Sequence, residues 1–187
     1  FIFGKLNIAE KRKMLLIFIL FIGAAFFWSG FDQGGSSFNI FAKEYTNRII
    51  LGWEYPASWL QIVNPAFVVI LSPIMAYIWI FLGKKMLDPS LPFKFGLGLI
   101  LMGVGFIIIA MGASTAINDE SLASAKWLLL TYLFHTIGEL VISPIGLAAI
   151  SSLSPKRFIG QMMGVWFLAS SLGAIIAGLL SGKATAG

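Results

Sequence analysis

The stretch WLLLTYLFHTIGELVISPIGLAAI, Trp127 to Ile150, decides the fold, and within it Glu139 is the one acidic or basic residue besides the single histidine. A span needs roughly 20 residues, so this stretch is long enough to cross a bilayer. A segment this apolar in lipid must be helical, because only a helix or a closed barrel pairs every backbone polar group internally. An ionised residue near its centre costs on the order of 3 kcal/mol on insertion scales. Glu139 therefore needs a partner, a water-filled cavity or a proton, and it is the first candidate for function. The alternative is a carboxyl bonded only to structural neighbours.

Four further segments share the pattern. With Trp127–Ile150 they give expected spans at 14–41, 59–82, 93–111, 127–150 and 158–180. The connections are short, at Lys43–Ala57, Gly83–Pro92, Ser114–Ala125 and Ser152–Arg157. Hydrophobic residues make up 58% of the 187 residues and mean hydropathy is +0.91. Soluble domains hold about 45–50% apolar residues, so the fold class is an all-α membrane protein. No soluble domain, short repeat or low-complexity tract stands out.

The net charge of +5 does not form a nucleic-acid surface, because the basic residues sit at the ends of the apolar runs. Lys5, Lys11, Arg12 and Lys13 precede the first span; Lys84, Lys85 and Lys94 lie in the second connection; Lys156 and Arg157 lie in the fourth. The other side holds Lys43, Arg48, Lys126 and Lys183 among Glu44, Glu54, Asp119 and Glu120. The positive-inside rule then places Phe1 in the cytoplasm. The segment from Phe1 lacks the pattern of a secretory signal. An odd number of spans, with the chain stopping at Ala186-Gly187, is expected of a piece of a larger protein. Cysteine is absent, which excludes disulfides, thiolate metal sites and cysteine nucleophiles.

Polar residues at membrane depth fall on several spans. The first ends in Phe26-Phe27-Trp28-Ser29-Gly30-Phe31-Asp32-Gln33-Gly34-Gly35-Ser36-Ser37. Its small residues suit close packing or local unwinding. Asp32 requires a cation or a proton. Lys43 is about 16 Å further along a helix at 1.5 Å per residue, too far for a direct pair. In the second span Gln61 and Asn64 share a face just before Pro65, whose missing donor disturbs the preceding turn. Asn64 offers an acceptor and donors, which suits an amide-containing solute; an interhelical hydrogen bond is the alternative. Pro73 marks only a kink. His135 and Glu139, four apart, share a face. They suit a proton relay or half a metal site, although one histidine leaves a metal short of ligands. His135 bonding to a neighbouring helix is the third reading. Ser143-Pro144 suggests a hinge. Trp28 and Trp166 lie deep in their spans and suit the wall of an internal pocket beside Ser170 and Ser171, whereas Trp53, Trp59, Trp79 and Trp127 suit interfacial belts. No nucleophile elbow, phosphate-binding loop or metalloprotease motif appears. A cavity between helices is expected, rather than an enzyme site.

Phe27-Trp28…Asp32-Gln33-Gly34, Ser58-Trp59-Leu60-Gln61…Asn64-Pro65, Gly138-Glu139-Leu140…Ser143-Pro144…Gly146-Leu147 and Ser154-Pro155…Met163-Gly164-Val165-Trp166-Phe167-Leu168 together resemble the proton-dependent oligopeptide transporter family. The resemblance runs in order across nearly the whole chain. It implies helices seven to eleven of a twelve-helix major facilitator bundle, which is the C-terminal half without its last helix. It implies proton-coupled symport of di- and tripeptides by alternating access, in a membrane such as the bacterial inner membrane. Protons are the coupling ion and no cofactor is expected. The expected partners are peptides, protons, membrane lipid and the six-helix N-terminal half. By position, Glu139 would meet the peptide amino terminus and take part in proton coupling. Asn64 would contact the peptide, with Trp28, Trp166 and Ser170 lining the pocket. Asp32 would form a gate salt bridge with a basic residue of the first half, where the family commonly has glutamate. A transporter of nitrate or another small solute, or a non-transporting peptide receptor, would share the fold.

Overall fold

The computed structural model describes residues 7–118 and 121–185, the side chains of residues 183–185 excepted. Lys5, Asp119, Glu120, the Lys183 side chain and the Ala186-Gly187 end, all used above, lie outside the described residues. The helices are α1 (Ile8–Phe31), α2 (Ser37–Glu44), α3 (Val63–Lys84), α4 (Leu91–Asn118), α5 (Lys126–Leu153) and α6 (Ile159–Thr185). A 3-10 turn, Asp32–Gly35, joins α1 to α2. Five membrane-length segments result, at Ile8–Glu44, Ala57–Lys84, Leu91–Asn118, Lys126–Leu153 and Lys156–Gly182.

These segments are longer than the apolar runs. Hydropathy marks the part of a helix that lipid surrounds, whereas backbone hydrogen bonding continues beyond it. At α1 the continuation is sealed by Asn7, which accepts from the Glu10 N–H at 2.8 Å while the Glu10 carboxylate accepts from the Asn7 N–H at 2.9 Å. The first segment is also not one helix. The turn through Asp32, Gln33, Gly34 and Gly35 interrupts it, where Asp32 and the two glycines have weak helix preference.

The break divides two apolar clusters. Met14, Ile17, Leu20 and Ala24 of α1 pack with Phe95 and Met102 of α4, Ile142 of α5, and Met162 and Trp166 of α6. Beyond the break, Phe38 and Ala42 of α2 pack with Tyr55, Leu60, Ile109 of α4, and Leu128 and Tyr132 of α5. α4 runs along α5 and α1 along α6, while α3 leans on α5 with no buried residue of its own. Exposed Val69, Ile70, Tyr77 and Ile80 on α3 are what lipid or further helices would cover.

The first connection carries short strands β1 (Thr46–Asn47), β2 (Ile49–Ile50) and β3 (Trp53–Glu54). β2 and β3 form a hairpin whose two loop residues, Leu51 and Gly52, both have positive φ, 50° and 79°. That is the backbone of a two-residue turn matched to strand twist, and Leu51 holds it at some steric cost. β1 pairs in parallel with β4 (Ala123–Ser124), so the far end of the broken first segment is tied to the start of α5. Arg48 braces this loop, donating to the Tyr55 carbonyl at 2.7 Å and pairing with Glu54. Burial pushes the Tyr55 phenol up, and the Arg48 cation partly offsets it.

Lys94, expected in the second connection, lies in the first turn of α4 and is not a free rim cation. It is buried, pairs with Asp88 at 2.7 Å and lies 4.5 Å above the Trp79 ring. The indole of Trp79 is thereby part of this joint rather than a simple belt residue.

Candidate functional site

Pro65 is the third residue of α3, following a 3-10 segment at Ala57–Ile62. In a first helical turn a missing N–H costs no intrahelical bond, so the proline opens α3 instead of bending it. This start projects Asn64 toward α5. Its Nδ2 donates to Thr136 Oγ1 at 2.9 Å and to Glu139 Oε2 at 3.2 Å. Thr136 and Glu139 are three residues apart and share a helix face. Thr136 is fully buried and its hydroxyl donates to the Tyr132 carbonyl at 2.7 Å. With its one proton committed there, Thr136 Oγ1 faces Asn64 as an acceptor only. The end of the amide that meets it is therefore the NH2 end. Both N–H groups are then used, and Asn64 Oδ1 is left without a donor among the described residues and without being enclosed.

Asn64 also lines a cavity of about 440 Å³ with Asp32, Gln61, Tyr132, His135 and Ala177. Asn64, the residue that carries the open acceptor, is thus part of this wall. Glu139 is half-buried and touches the cavity through Asn64, with no cation pairing with it among the described residues. An amide donor is a neutral partner, so the carboxyl keeps room for a cation or a proton to join it.

Asp32 sits at the cavity where α1 breaks, half-buried and without an ion pair among the described residues. Next to it, buried Gln33 clamps the break. Its Oε1 accepts from Ser37 at 2.6 Å and Ser36 at 3.3 Å, and its Nε2 lies 3.3 Å from the Ala177 carbonyl of α6 and 3.4 Å from that of Ser29. Tyr132 donates to the Gly34 carbonyl at 3.3 Å, tying the break to α5 as well.

Trp166, Trp28 and Ser170 lie elsewhere. Trp166 is 5% exposed even with no other part of a protein present, its ring fills the space above Gly146, and Phe95 meets it edge-on at 6.3 Å. The expected pocket wall is here a core side chain, because Gly146 has no Cβ to keep the indole out. Trp28 is half-buried against Gly173 of α6, where an added Cβ would come within 2.6 Å. Ser170 is half-buried and donates to the Phe167 carbonyl at 2.8 Å. Neither lines the cavity. His135 takes the interhelical reading, with Nε2 3.2 Å from the Met102 carbonyl and its ring between Phe38 and Phe106. No group of three metal-ligating residues occurs among the described residues. α5 runs through Pro144 without a break.

The sequence reading missed Thr136 and Tyr132. Thr136 carried a signal in its three-residue spacing from Glu139, which places both on one face; the bond from Tyr132 to Gly34 had none, since it spans 98 residues.

Of the five apolar membrane-length segments, four line the cavity beside the amide–carboxylate pair, and the Leu91–Asn118 segment does not. The sequence model of the POT family matches residues 1–186, and the chain belongs to that family. It is 41% identical over 187 residues to the peptide transporter YePEPT of Yersinia enterocolitica, covering 100% of this chain and 37% of that protein. Dipeptide and tripeptide permease A of Proteus mirabilis is 39% identical over 168 residues, 90% of this chain and 34% of that one. A crystal structure of a POT family transporter in complex with a thioalcohol-conjugated peptide superposes with a TM-score of 0.83 at 33% identity, over 96% of this chain and 37% of that one. The chain thus spans about a third of the length of these relatives, and it is a multi-pass integral membrane protein.

Proposed function

We propose that the chain is helices seven to eleven of a proton-coupled symporter of di- and tripeptides that works by alternating access. The observation that carries this is the Asn64–Glu139 hydrogen bond at the edge of the cavity. Glu139 is a carboxyl whose protein partner is neutral, so a peptide ammonium or a proton supplies the missing positive charge. Competition between the two couples them: whichever is bound alters the strength of the contacts that hold the halves together, and so biases their rocking. Asn64 Oδ1 adds an acceptor for a substrate N–H. Asp32 serves as one side of a gate, its basic partner lying in the rest of the transporter and meeting it when that side is closed. Trp28 and Ser170, on the α1–α6 seam, shape the space beyond the cavity. The names of the relatives favour peptide over nitrate.

The lysine and arginine distribution supports an orientation with the start of α1 in the cytoplasm and the broken end of the first segment outside. A bacterial inner membrane fits the source of the relatives. The test is uptake of a dipeptide by the full-length protein in liposomes under an inward proton gradient. Accumulation above the equilibrium level, abolished by a protonophore, is expected. Accumulation of nitrate and not of dipeptide would overturn the reading.

A further inference from the structure

We propose that Thr136 is a positioning residue that sets which end of the Asn64 amide faces the cavity, and thereby makes this wall select for substrate N–H donors. The proposal rests on the reading of the cavity as a substrate site and goes one residue further. An asparagine by itself presents either end. Glu139 cannot hold the amide alone: a carboxylate accepts an amide N–H, but a protonated carboxyl also donates, and then an outward NH2 would serve equally well.

Thr136 removes that freedom. It is buried, its proton is committed to the Tyr132 carbonyl at 2.7 Å, and its lone pair lies 2.9 Å from Asn64 Nδ2. Turning the amide over would set Oδ1 against that oxygen, and the hydroxyl can meet it only by releasing the Tyr132 carbonyl. The flipped amide thus either loses the Thr136–Tyr132 bond or leaves two acceptors facing each other, and both are costlier than the arrangement present. The NH2 end is thus held inward whether or not Glu139 carries a proton, and the acceptor stays on the cavity side. A substrate ammonium or amide N–H is met by Asn64; a substrate carbonyl at the same place is not.

The test uses the full-length protein and a cycle of variants. Thr136→Val keeps the shape and removes the acceptor, while Thr136→Ser keeps the acceptor. Loss of one neutral hydrogen bond corresponds to about fivefold in a binding constant. Thr136→Val is expected to raise the KM for dipeptide uptake about fivefold with Vmax little changed, and Thr136→Ser to stay near wild type. In an Asn64→Ala background Thr136→Val should add nothing, since Thr136 acts through Asn64. Melting temperatures of the same four proteins in detergent repeat the cycle without transport, so a failure of the peptide reading and a failure of this one are distinguishable. If Thr136→Val does not fold, Thr136→Ala takes its place. An unchanged KM, or an effect that persists in full without Asn64, would overturn the proposal; so would additive melting temperatures.

Discussion

Asn64 Nδ2 lies 3.2 Å from Glu139 Oε2, a bond between residues 75 apart that joins the first turn of α3 to the middle of α5. α3 otherwise leans on α5 with no buried side chain. The most weakly embedded helix is therefore pinned to the most embedded one at the carboxyl. A change in what Glu139 binds acts directly on one of the two bonds by which Asn64 ties α3 to α5.

Trp166 tests packing against pocket. Removing a buried tryptophan costs about 3–5 kcal/mol, and forcing a larger residue into the space at Gly146 about 1–3 kcal/mol. Trp166→Ala and Gly146→Val are both expected to lower the melting temperature of the full-length protein. A Trp166→Ala protein with unchanged melting temperature and lost peptide binding would restore the pocket role.

Gln33 braces the break between α1 and α2 with both ends of its amide, Oε1 on Ser36 and Ser37 and Nε2 on the Ala177 carbonyl of α6. Replacing it with alanine leaves the Ala177 carbonyl and the two serines to find other partners. A loss of about 2 kcal/mol is expected from hydrogen bonds of this kind. Urea or thermal unfolding in detergent measures it. Stability equal to wild type would mean that the glycines and the strand pairing at Thr46 hold the break without the clamp.

How much of this was legible in the sequence differs by residue. Glu139 stands out because a charge in an apolar run is costly whatever surrounds it. The five spans follow from length alone, but their ends do not: at Lys11, Arg12 and Lys13 the helix continues through charges that reach the interface. Depth in a span indicates that Trp166 is unusual, yet it cannot separate a cavity wall from a core. That choice is made by Gly146, which lies on another helix. The glycines and serines after Asp32 suit close packing as well as local unwinding, so the break there was not fixed by the sequence. The pairing of β1 with β4 was not signalled, because two-residue strands have no pattern and their partners lie in different connections.

Asp32→Asn is expected to shift the resting transporter toward the state open on the Asp32 side. A pair formed in one state biases the equilibrium by its strength in that state alone. Transport should slow, with less effect on peptide affinity in the favoured state. Spin labels on the two rims of that side read the distance distribution. An unchanged distribution would reduce Asp32 to a structural acceptor.

In the proposed transport cycle Glu139 exchanges a proton. Glu139→Gln keeps an acceptor for Asn64 Nδ2 and removes the group that can take up and release a proton. The direct measurement compares wild-type and Glu139→Gln full-length protein in the same liposomes, by dipeptide exchange without a gradient and by accumulation under an inward proton gradient. The variant is expected to retain part of the exchange and to lose gradient-driven accumulation entirely. Accumulation at the wild-type level by Glu139→Gln would contradict it.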